Sequence, residues 1–194
     1  MPRAKITINE KGVAREIRTQ LHKSSRLNKE VEKRANIRFE KIKKDFIREF
    51  MNHRVTAELN SGAGELFYFI GFPPGSDPIS PLLNLLEDRV FIRYRKFNRR
   101  GRAQFTINLP TPMEINRLSP MPWATGLSWV KGIETGIPNL GKFLAVDGRP
   151  SSRSGGGIQT KNEIDSYQFT KKPYLFQMLS KYIQIFSKFG FILK

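Results

Sequence analysis

Two stretches of this chain carry residues whose types and spacing suit chemistry with anions. The first is "GRPSSRSGGGIQTK", Gly148 to Lys161, where three consecutive glycines lie between Arg149, Arg153 and Lys161. A phosphate-cradling loop needs a Gly-x4-Gly-Lys-Ser/Thr pattern between a strand and a helix, so that amide groups converge at a helix start. Lys161 stands four residues beyond the last glycine, and "QTKNEIDSY" is no helix start. The segment reads instead as a flexible loop, 148–162, that docks on a partner through Arg149 and Arg153, each suited to a bidentate contact with a carboxylate or phosphate.

The second stretch runs from Arg89 to Arg102 and holds seven basic residues and no acidic one. Its alternation predicts a hairpin of strands 90–97 and 103–109 joined by "NRRG". Arg95, Arg99 and Arg100 are the leading candidates for contact with DNA or an acidic partner face. Tyr94 and Phe97 interleave with them, and such a pattern can grip a phosphate backbone. Tyr94, in phase with Val90 and Ile92, is expected to serve the core.

Other chemistry has little material. The chain contains no cysteine, which removes thiol nucleophiles and thiolate metal sites. Its two histidines, His22 and His53, lie in polar helical contexts and read as surface residues. No nucleophile elbow, paired carboxylate motif or cation-binding loop occurs. The sequence therefore predicts no catalytic residue, no metal, no cofactor and no small-molecule substrate. The excess of 34 Lys and Arg over 17 Asp and Glu, a net charge of +17, points to anionic partners. No apolar run is long enough for a membrane span, and the first residues do not read as a signal peptide, so a soluble chain is expected.

The elements that hold these stretches read as α+β: a long N-terminal amphipathic helix packed on a small antiparallel sheet, with extended termini and the glycine-rich loop. The segments are a basic arm with a short helix (1–26), a core (27–147), the loop (148–162), and a C-terminal amphipathic helix with its tail (163–194). In the arm, "ITIN" alternates as a strand, and Val13, Ile17 and Leu21 recur at i, i+4 and i+8 as on a helix. Leu27, Val31, Ala35, Phe39, Ile42, Phe46 and Phe50 draw one apolar stripe along a helix over 27–51. "LFYFIGF", 66–72, is apolar on both faces and reads as a central strand. Ser80 is expected to cap a short helix with Pro81 at its first position. Thr111, Pro112 and Glu114 form a capping box. Trp129, Ile133 and Ile137 share a helix face. Trp123 and Trp129, with Phe189 and Phe191 of the tail, are the candidates for a subunit interface, although core packing is the preferred reading of the tryptophan segment.

The order of these elements is similar to virion structural proteins of the neck and tail of tailed bacteriophages. The residues that carry the resemblance are Phe69–Phe72, then Trp123, Trp129, Ile133, Glu134, Gly136 and Ile137, then Ser152–Gly155, over roughly 27–172. The resemblance, to the tail-completion and head–tail connector class, implies a subunit of a ring that joins the connector to the tail. Its partners would be copies of itself and other neck, tail or connector proteins, near DNA in a channel. The implied location is the virion, after assembly in the host cytoplasm. The competing expectation from the basic charge is an RNA-binding protein such as a ribosomal component.

Overall fold

The computed structural model describes residues 9–62, 64–98, 101–122, 124–136, 143–145, 157–159, 172–188 and 192–193. The predicted strand over Ile6–Asn9 falls almost wholly outside them, and Asn9 is the cap of the first helix. Helix α1 (Glu10–Lys23) starts where the Asn9 side chain accepts from the Gly12 amide. It ends at Ser24, whose hydroxyl accepts from the Leu27 amide and so starts α2 (Ser25–Asn52) without a linker. Serine and asparagine favour these positions because their short side chains satisfy amides that the first helical turn leaves free.

Helix α2 has 28 residues and is about 42 Å long. The predicted stripe faces inward, with Phe39, Ile42, Phe46 and Phe50 buried and Val31 and Ala35 packed at the margin. What it meets differs from the expectation of a sheet alone. Besides the sheet it meets the C-terminal helix α8 (Leu175–Lys188), through the ring pairs Phe39–Phe186 at 5.5 Å and Phe46–Tyr182 at 4.7 Å. The expected inward face of α8, Leu175, Leu179, Tyr182 and Phe186, is buried, so this helix belongs to the core with α2.

After α3 (Arg54–Asn60), "ELFYFI" is a helix, α4 (Glu65–Ile70), and not the strand predicted over 66–72. The run lies in the protein interior, with Phe67 and Ile70 buried, and an all-apolar segment this short has no period that separates helix from strand. Two local devices set it as a helix. Glu58 Oε1 accepts from the Leu66 amide at 2.8 Å, and Gly71, at φ 89°, ends it in the left-handed conformation that glycine adopts without strain.

Helix α5 (Ser80–Arg89) carries the expected Pro81 in its first turn, but Ser80 is not its cap. Asp77 organises that start instead, its Oδ1 accepting from the amides of Ile79 and Ser80. Strands β1 (Phe91–Phe97) and β2 (Ala103–Asn108) form the expected antiparallel hairpin. Helix α6 (Pro112–Leu118) has the full capping box of Thr111 and Glu114. Strands β3 (Pro120–Met121) and β4 (Ala124–Ser128) pair and lead into α7 (Trp129–Thr135). Further strands β5 (Phe143–Ala145) and β6 (Gly157–Gln159) pair antiparallel, and β7 (Ile192–Leu193) joins β2 in parallel. The fold is α+β, with the helices around one core.

Three expectations change here. Gly157–Gln159, read as part of the flexible loop 148–162, form a strand paired with Phe143–Ala145. In the tail, whose Phe189 and Phe191 are read as subunit-interface candidates, Ile192 and Leu193 pair with Thr106 and Ile107 of the same chain; a third strand satisfies backbone groups that β2 would otherwise leave at a sheet edge. Trp129, a candidate for a subunit contact, is 1% exposed inside its own subunit, edge-on to Phe72 and tilted against Tyr174. A side chain this large gains most by burial in the core. Trp123, Phe189 and Phe191 lie outside the described residues.

Candidate functional site

The hairpin gives the clearest division between a structural and a free face. Because side chains alternate along a strand, Ile92 and Tyr94 point inward, opposite Ile107 and Phe105, with the Tyr94 and Phe105 rings 5.2 Å apart. The Tyr94 hydroxyl donates to Asn28 Oδ1 and ties the hairpin to α2. Burial raises the Tyr94 hydroxyl above its ordinary pKa, which keeps it protonated as a donor. The other face of β1 presents Phe91, Arg93 and Arg95, and the Arg93 guanidinium lies 5.0 Å over the Phe91 ring.

Between Tyr94 and Phe97 the ladder slips. Tyr94 opposes Phe105 and Phe97 opposes Ala103, so β1 holds one residue more than β2. Lys96 absorbs the extra residue with φ 66°. A bulge of this kind bends the strand and re-aims its side chains, and here it turns Arg95 and Lys96 outward at consecutive positions, both exposed. The turn closes with Asn98: its amide donates to the Arg102 carbonyl, its carbonyl accepts from the Gly101 amide, and its Oδ1 accepts from the Arg102 amide. Gly101 sits at φ 74°. Arg99 and Arg100 lie outside the described residues, as do Arg149 and Arg153.

Electrostatics separate the structural arginines from the free ones. Arg89, which sequence reading counts in the cluster, pairs with Glu114 at 2.9 Å and belongs to the capping of α6. Arg95, Lys96 and Arg102 make no ion pair among the described residues. Arg18 of α1 joins them in space, since a side chain added at Gly101 would meet its Cγ at 3.6 Å. Sequence reading missed Arg18 because the α1–hairpin contact is a tertiary one; its spacing from Leu21 on a helical face was the available signal.

Several carboxylates, meanwhile, are engaged in holding the fold. Glu49 accepts from Lys181 and from the Tyr182 hydroxyl, and the Lys181 hydrogen bond holds its pKa below the ordinary value. Glu134 accepts from the Tyr174 and Phe176 amides at the start of α8, and burial raises its pKa. Glu114, Asp77 and Glu58 each bind free amides at a helix start. Internal engagement of these acids leaves the surface positive charge under-compensated.

Groups that resemble catalytic parts are structural as well. The Ser119 and Ser128 hydroxyls lie 2.6 Å apart in the interior, but Ser119 is bonded to the Ile115 carbonyl and Ser128 caps α7. His53, expected on the surface, is partly buried; its Nδ1 accepts from the Val55 amide to cap α3, and its ring lies tilted against that of Tyr174 with centroids 5.0 Å apart. Burial depresses its pKa, which suits a neutral acceptor. Among the described residues no group of three His, Asp or Glu side chains could hold a metal ion. No described helix is long and apolar enough to cross a membrane. The chain matches no known protein family, no curated protein and no solved structure.

Proposed function

We propose that this chain is a structural assembly subunit that docks its basic hairpin on an anionic partner. The observation that carries this reading is the outer face of β1: a bulge sets Arg95 and Lys96 side by side in solvent, without ion pairs among the described residues, in a chain of net charge +17. Cations left unpaired beside one another repel, and an anionic surface or phosphate backbone relieves that repulsion and releases its own counterions. The form of assembly we propose is a ring at the head–tail junction of a tailed phage virion, the role that the motif resemblance implies.

The half-exposed Phe91 under Arg93 supports a second reading, in which the same face stacks a base of single-stranded RNA. The two readings separate in one experiment. Fluorescence anisotropy against duplex DNA, single-stranded RNA and polyglutamate, with salt varied, is combined with electron microscopy of the products. Polyanion-dependent ring particles with rotational symmetry are expected. Binding confined to single-stranded RNA, lost in Phe91→Ala and without particles, would establish the second reading in place of the first.

A further inference from the structure

Helix α1 leaves two apolar side chains uncovered. Val13 and Ile17 are 50% and 55% exposed, one helical turn apart. Glu10 stands on the same face, at i with Val13 at i+3 and Ile17 at i+7. Leu21, the last member of the stripe, is seated instead, since a side chain added at Gly101 would meet its Cδ1 at 3.5 Å. Past the other end of β2, about 20 Å away along the strand, a groove of about 440 Å³ opens between the β2–α6 connection, α7 and α8. Leu109, Pro112, Phe176, Leu179 and Ile183 make it apolar, and Lys131 sets a cation at its margin. Ile183 is 38% exposed. Neither Glu10 nor Lys131 makes an ion pair among the described residues.

We propose that the α1 stripe of one copy seats in the α6–α7–α8 groove of a second copy, with Val13 and Ile17 against the apolar floor and Glu10 paired with Lys131. A second copy fits because the same chain offers both halves: an exposed apolar pair with one adjacent carboxylate, and an apolar groove with one adjacent ammonium. Stripe and groove are different patches, so the contact is heterologous and propagates from copy to copy into a ring or a filament. Two helical turns cover less than the roughly 800 Å² per partner of a stable interface, so a single contact is weak and closure supplies the rest. Repulsion between copies of charge +17 opposes it until salt or a bound polyanion screens that charge. The contact rests on the assembly reading, yet it is measured apart from anion binding.

Single-cysteine variants test it, because the chain contains no cysteine. Ile17→Cys and Ile183→Cys proteins are mixed and oxidised in high salt, and again with inorganic polyphosphate at low salt. The mixed disulfide is expected in several-fold excess over either like-with-like product. Glu10→Lys on the first protein lowers that excess, and Lys131→Glu on the second restores it. Equal yields of the three products, or no mixed disulfide in either condition, would overturn the proposal. An unaltered excess in Glu10→Lys would remove the assigned ion pair and with it the register. Polyphosphate affinity, measured in parallel on Ile17→Ser, is expected to hold; an affinity left unchanged in the hairpin variants, with crosslinking intact, counts against the anion-docking reading and not against this one.

Discussion

Glu134 of α7 accepts a hydrogen bond from the amide of Phe176 at 2.7 Å, so a side chain 42 residues away caps the start of α8. The same Oε1 accepts from the Tyr174 amide at 3.1 Å, and the Lys172 amide donates to the Ile133 carbonyl. Together these contacts fix where the C-terminal helix enters the core. Burial outweighs the amide hydrogen bonds and raises the Glu134 pKa.

The sign of that shift gives the first prediction. A carboxyl whose folded pKa lies above its unfolded value contributes stability at low pH that is lost as pH rises from about 4.5 through the folded value. Glu134→Gln keeps an acceptor and removes the ionisation. It is expected to cost less than about 1 kcal/mol near neutral pH, whereas Glu134→Ala, which strands the amides, costs about 1–2 kcal/mol. Urea unfolding of the two variants measures the difference.

Glu49 behaves oppositely. The Lys181 hydrogen bond leads in lowering its pKa, so its contribution is present above about 4.5 and is lost as pH falls through the lower folded value. The pair is largely exposed, so the effect is small. Glu49→Gln is expected to flatten the acid limb of a stability–pH profile while leaving neutral pH little changed. An acid limb identical to that of the parent protein would contradict this assignment.

The α2–α8 seam predicts a larger effect. Phe39 and Phe186 are both fully buried and stack at 5.5 Å. Phe39→Ala and Phe186→Ala are each expected to destabilise by about 3–5 kcal/mol. The double variant should lose less than the sum, since the second truncation removes contacts already gone. Additive losses in denaturant titrations would show that the rings do not act as a pair.

These seams also show what was legible in the sequence. The stripe of α2, the capping box at Thr111–Glu114, the hairpin and the inward face of α8 follow from local periodicity, because a face that must be buried repeats with its element. Helix α4 did not follow, since its hydrophobic run is buried without a period and its start depends on Glu58, eight residues before Leu66. The Glu134 cap and the parallel pairing of β7 join residues far apart in the chain, which no local pattern encodes. At the candidate site, the exposed position of Arg95 on the hairpin was legible, but the removal of Arg89 by Glu114 and the arrival of Arg18 were tertiary events.

For the hairpin, the triple variant Arg95→Ala, Arg99→Ala, Arg100→Ala is expected to change stability by no more than about 0.5 kcal/mol, as for surface substitutions generally. Its signature is in salt dependence. The slope of log affinity for duplex DNA against log salt should fall by about 0.9 for each phosphate contact removed. Arg89→Ala, which breaks the Glu114 pair, should leave that slope unchanged. Equal slopes for the triple variant and the parent protein would exclude these arginines from the interface.

Lys96 supplies a prediction that separates shape from charge. Its φ of 66° places a non-glycine residue in the left-handed region, where the Cβ clash costs about 1–2 kcal/mol. Lys96→Gly removes that clash but adds freedom to the unfolded chain, a loss of about 0.5–1 kcal/mol, so it should be neutral or slightly stabilising. Lys96→Val, β-branched, should be destabilising and should drive the strand out of its bulge. If the bulge aims Arg95 at the partner, Lys96→Gly loses only the contact of one cation, while Lys96→Val weakens anion binding further although both lose the same charge. Thermal unfolding and anisotropy on this pair of variants decide it: equal affinities would mean that the bulge has no part in presenting Arg95.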